Sequence, residues 1–72
     1  MTDQRKQINY TVACVNEFAA RHKLTPKAAF QFLYDYGAIS FLKENYEIEH
    51  TLPLDDTLDA MLIICQNNGG CL

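Results

Sequence analysis

No stretch of this sequence approaches the ~20 consecutive apolar residues that a bilayer-spanning helix needs. Nor does the opening segment, MTDQRKQINY, hold an apolar run of the kind that marks a secretory signal; it is polar and charged, and the expected location is cytoplasmic. Cysteine is sparse and unpaired in pattern. Cys14, Cys65 and Cys71 are odd in number and include no C-x-x-C, which fits free thiols in a reducing compartment and argues against a zinc site. Glycine and proline number three and two, so no glycine-rich phosphate loop can be assembled, and neither G-x-S-x-G nor H-E-x-x-H occurs. Tryptophan is absent, and the aromatic content rests on four Tyr and four Phe. Low-complexity linkers and internal repeats are also lacking.

Positive charge is scarce and unevenly placed. Residues 1–36 hold five cations (Arg5, Lys6, Arg21, Lys23 and Lys27) against three acids, whereas residues 37–72 hold only Lys43 against six acids. Nucleic-acid affinity is built largely from Lys and Arg, so the acidic C-terminal half argues against a phosphate-backbone partner and suits a basic protein partner. It is equally the pattern of a solvated acidic surface.

What remains is a globular composition, 49% hydrophobic, in 72 residues. That length holds one domain, residues 1–72, and a domain of this size buries only about 60% of its unfolded surface, leaving stability marginal. Over 4–22, Ile8, Val12, Val15 and Ala19 fall on one helical stripe, widened by Cys14 and Phe18, with Asp3 placed to cap and His22 and Lys23 suited to the C-terminal end. Thr25-Pro26 reads as N-cap and first helical position of a second helix over 26–36, stopped by Gly37, with Leu24 stapling near Phe30. A shorter helix is predicted over 38–45, with Ile39, Leu42 and Tyr46 on one face and Asn45 at its end.

Residues 46–53, YEIEHTLP, alternate Tyr46, Ile48 and His50 with Glu47, Glu49 and Thr51, which predicts an extended, irregular connector. A last helix is expected from about Leu54 to Asn67, with Leu54, Leu58, Met61, Leu62 and Cys65 on its inner face. Asp55 and Asp56 lie in its favourable first turn, and Asn67-Asn68-Gly69-Gly70 ends it. The fold class is therefore all-α: a compact bundle of three main helices plus one short helix, with the connector before the last. The run MLIIC at 61–65 is apolar nearly all round, so Ile63 or Ile64 is expected to stay exposed in a monomer and to support a homodimer.

His50 stands among Glu44, Glu47, Glu49, Asp55 and Asp56, which invites a metal-site reading. The alternation puts His50 opposite Glu47 and Glu49, and Asp55 and Asp56 are explained by the helix start, so neither metal nor other cofactor is expected. The structural reading is a His50 bonded to a backbone carbonyl or carboxylate, and a Thr51 bonded back to its loop. Cys14 and Cys65 fall on inward faces without a nucleophile's surroundings, and the chain is expected not to be an enzyme. Residues 25–46 run helix, Gly, helix, which leaves a DNA-binding regulator with a helix-turn-helix-like core as the alternative. Its second helix offers Lys43 alone, beside Glu44.

Three patches carry a resemblance: Ile8, Tyr10, Val12, Cys14, Val15 and Phe18; then Leu24, Ala29, Leu33, Gly37 and Phe41; then Tyr46, His50, Thr51, Asp55 and Asp56. Together, over about residues 7–67, the chain resembles a family of short bacterial proteins of unknown function with a His-Thr…Asp-Asp tail. Members of that family are often encoded beside a protein that looks like an ADP-ribosyltransferase-type toxin. The resemblance implies an accessory or antitoxin-like role, with an unidentified protein as partner. This chain departs from the family in a shorter connector that carries Pro53. With the residue-level reading, the expectation is a non-enzymatic protein-interaction module, with Tyr46, His50, Thr51, Asp55, Asp56, Ile63 and Ile64 as candidate contact or structural residues.

Overall fold

A computed structural model describes residues 2–72, with side chains from residue 4. The described chain is 78% helical and contains no strand. Its elements are α1 (Thr2–His22), α2 (Pro26–Asp35), α3 (Ala38–Glu44), α4 (Tyr46–Glu49) and α5 (Leu54–Asn67). The Cα radius of gyration, 11.3 Å, matches the ~11 Å expected of a folded chain of this length.

The core is made by pairs of residues one helical turn apart, which share a face. α1 contributes Cys14 with Phe18 and Val15 with Ala19; α2 gives Ala29 with Leu33; α3 gives Ala38 with Leu42; and α5 gives Leu58 and the pair Met61 and Cys65. Alanines at 19, 29 and 38 let the helices approach closely around Phe18 and Leu33, both wholly buried. Of the MLIIC run, Met61 and Cys65 are buried and Leu62 and Ile64 half-buried, so the core absorbs most of it. Leu24 joins the rim of this core, while Phe30, expected to receive it, is exposed.

The turns follow local chemistry. α1 ends in a Schellman motif, with the Leu24 N–H donating to Ala19 O at 2.8 Å and the Lys23 N–H to Ala20 O at 3.4 Å. Lys23 occupies the left-handed position, φ 58°, where glycine is the usual residue. Thr25 then caps α2, accepting from the Ala28 N–H at 3.1 Å, with Pro26 in the first turn. Gly37, φ 89°, turns the chain from α2 into α3. Asn68 donates from its amide to Tyr36 O at 2.7 Å, tying that turn to the end of α5. Gly70 is buried, and a Cβ there would lie 2.9 Å from Cys65 O and 3.0 Å from the Phe32 ring. The NNGG segment thus both stops α5 and seals its end against α2.

Two expectations change. α1 begins at Thr2, so Asp3 lies inside the helix rather than before it, and its side chain falls outside the described part. Residues 46–49 form a helical turn, not an extended strip, with Glu49 N–H on Asn45 O at 2.9 Å and His50 N–H on Tyr46 O at 3.0 Å. The reason lies in the pattern itself. Positions i and i+4 share a face in a helix as well as in a strand, so Tyr46 and His50 fit both. Only Ile48 distinguished the two, and its side chain is 63% exposed.

Candidate interaction surface

The sequence-predicted residues divide into three places. Around α4, the Tyr46 ring stacks on His50 with centroids 4.4 Å apart and meets Tyr10 edge-on at 5.5 Å. His50 Nδ1 lies 2.6 Å from Tyr46 O, and the Thr51 hydroxyl donates to Ile48 O at 2.7 Å. Both contacts are those expected of a locally satisfied turn, although His50 and Thr51 are exposed. Asp55 is not part of this group. It pairs with Arg21 of α1 at 3.0 Å, and Asp59 holds the same guanidinium at 2.7 Å. Asp56 is exposed in the first turn of α5. Ile63 is 54% exposed but shares its helix face with Asp56 and Asp59, whereas Ile64 packs its Cγ2 toward Gly37.

Thr57, which the sequence reading passed over, holds the α4 group to the bundle. It is fully buried, and its hydroxyl accepts from Tyr10 OH at 3.2 Å and donates to a Glu49 carboxylate oxygen at 3.1 Å. A threonine one position before Leu58 on an otherwise apolar face was the available signal. Burial pushes the Tyr10 phenol up to about 12. Burial likewise raises the Cys14 and Cys65 thiols, which keeps them protonated and unsuited to nucleophilic work. Nearby, the His22 ring packs on Phe18 at 4.3 Å, with Nε2 buried and without a hydrogen-bond partner among the described residues.

An apolar opening lies elsewhere. Ile8 and Val12 belong to the same stripe as Val15 and Ala19, yet are 56% and 51% exposed. They form the floor of a groove of about 380 Å³, walled by Phe30 of α2 and by Ile39 and Lys43 of α3. Phe30 extends the apolar surface by stacking on Tyr34, with centroids 6.0 Å apart. A second hollow, lined by Arg5 and Asn9, adjoins it through the shared residues Gln4 and Ile8. Helix lengths account for the opening: at 1.5 Å per residue the 21 residues of α1 span about 31 Å, but the 10 of α2 only about 15 Å.

Among the described residues, no three His, Cys, Asp or Glu side chains are grouped so as to hold a metal ion, and no helix is long and apolar enough to cross a membrane. No curated protein and no solved structure matches the chain. One family model, described as a protein of unknown function (DUF3791), matches residues 9–68. That match spans α2 to α5 and most of α1, including the Thr57 contact and much of the groove, and the chain belongs to this DUF3791 family.

Proposed function

We propose that this chain is a non-enzymatic protein-interaction module that docks a protein partner across the groove between α1, α2 and α3. The carrying observation is the half-exposed pair Ile8 and Val12, walled by Phe30 and Ile39. A chain with so small a core gains from burying apolar side chains, and leaving four of them around one opening favours a surface used for contact. The contact thereby moves from the acidic face of the C-terminal half to a groove floored by α1 and walled by α2 and α3. The resemblance to chains encoded beside ADP-ribosyltransferase-like toxins nominates such a toxin as the partner, which makes the role accessory or antitoxin-like.

The test is capture from the source cell with the wild type and with Val12→Glu, read by mass spectrometry. A stoichiometric partner held by the wild type and lost by the variant, with unchanged circular dichroism, is the expected result. A partner that Val12→Glu retains would move the contact off the groove, first to the face bearing Asp56 and Ile63.

A further inference from the structure

We infer that the groove takes an amphipathic helix of the partner, about three turns long, whose flanks carry carboxylates. This rests on the docking reading above and adds the class of its occupant. Length comes first. α2 is about 16 Å shorter than α1, the rise of roughly 11 helical residues, and the exposed Ile8 and Val12 lie one turn apart on α1. A helix laid there would continue the packing that α2 makes on the other half of α1. Apolar anchors at i, i+4 and i+7 are the usual way a helix fills such a groove.

Charge decides the flank. The groove and the hollow beside it are edged by Lys43 and Arg5, otherwise by uncharged polar side chains, and among the described residues no carboxylate lines either. This is notable in a chain of net charge −3. Carboxylates along the incoming helix would meet these two cations at the rim, where charge sets orientation and choice of partner. The same cations disfavour a second copy docked groove to groove, because Arg5 and Lys43 of both copies would face one another.

Two labelled peptides of about 14 residues test this, each with leucines at i, i+4, i+7 and i+11. One carries glutamates beside the leucines and its twin carries lysines; binding to the whole chain is followed by fluorescence anisotropy, with sedimentation of the chain alone in parallel. The expected result is that the acidic peptide binds about tenfold more tightly at low salt, that the gap narrows as salt screens the rim, and that Val12→Glu abolishes binding. The double variant Arg5→Glu, Lys43→Glu should reverse the preference, since both side chains are exposed and outside the core. Equal binding of the twins, preference for the lysine peptide, or no binding of either would overturn the inference. So would a wild-type dimer that Val12→Glu dissociates, which would make the occupant a second copy. In each of these cases a cellular partner lost with Val12→Glu would still leave the docking reading standing.

Discussion

Single side chains carry consequences that their neighbours make measurable. Lys23 sits in the left-handed region at φ 58°, a conformation that costs an L-residue about 1 kcal/mol or more. Lys23→Gly should therefore raise the unfolding free energy by roughly 0.5–1 kcal/mol in urea titration, the gain reduced by glycine's greater freedom in the unfolded chain. Thr57 is the opposite case, a buried hydroxyl bonded on both sides. Thr57→Val keeps the shape but strands the Tyr10 hydroxyl and a Glu49 oxygen, and should cost about 1–2 kcal/mol, most of it restored by Thr57→Ser. The same site sets an alkaline limit. Tyr10, held neutral by burial, has its pKa raised to about 12, so its contribution is fully present below the unfolded value near 10 and is lost as pH rises from there to about 12. Unfolding midpoints measured from pH 9 to about 12 should fall more steeply for wild type than for Tyr10→Phe.

At the scale of elements, most helix boundaries could be read from caps and breakers. The Thr25-Pro26 start, the Gly37 turn and the Leu54–Asn67 span of α5 are all present, because each is dictated by its own few residues. Two features are not legible in this way. The stripe on α1 was correctly grouped, but whether Ile8 and Val12 are covered depends on the length of α2. Residues 46–53 suggest an extended strip because the short stretch from Tyr46 to His50 cannot separate period 2 from period 3.6 when only Ile48 disagrees. Their helical form also lowers what His50 contributes. With its Nδ1 on Tyr46 O and its ring exposed to water, His50→Ala should cost only about 0.5–1.5 kcal/mol in chemical denaturation. Of the candidate contact residues, the bonds of His50 and Thr51 to nearby backbone carbonyls were legible, but the helical turn that makes them was not. Nor was the groove, because it joins residues from three helices.

Across the whole molecule, the two charge-biased halves are joined, among other contacts, by Arg21 between Asp55 and Asp59. Both carboxylates are largely exposed, so Arg21→Ala should cost about 0.5–1 kcal/mol at low salt, and less as salt is added. For the interior, by contrast, the placement of the cysteines offers a clock of its opening. Cys14 on α1 and Cys65 on α5 are sealed in the core, while Cys71 lies outside it, just past the buried Gly70. A water-soluble disulfide reagent should find one thiol per folded chain immediately. The other two become reachable only when the core opens, so their labelling rate reports that opening. Lys23→Gly should slow that rate and Thr57→Val should hasten it, each leaving the first, rapid thiol unchanged.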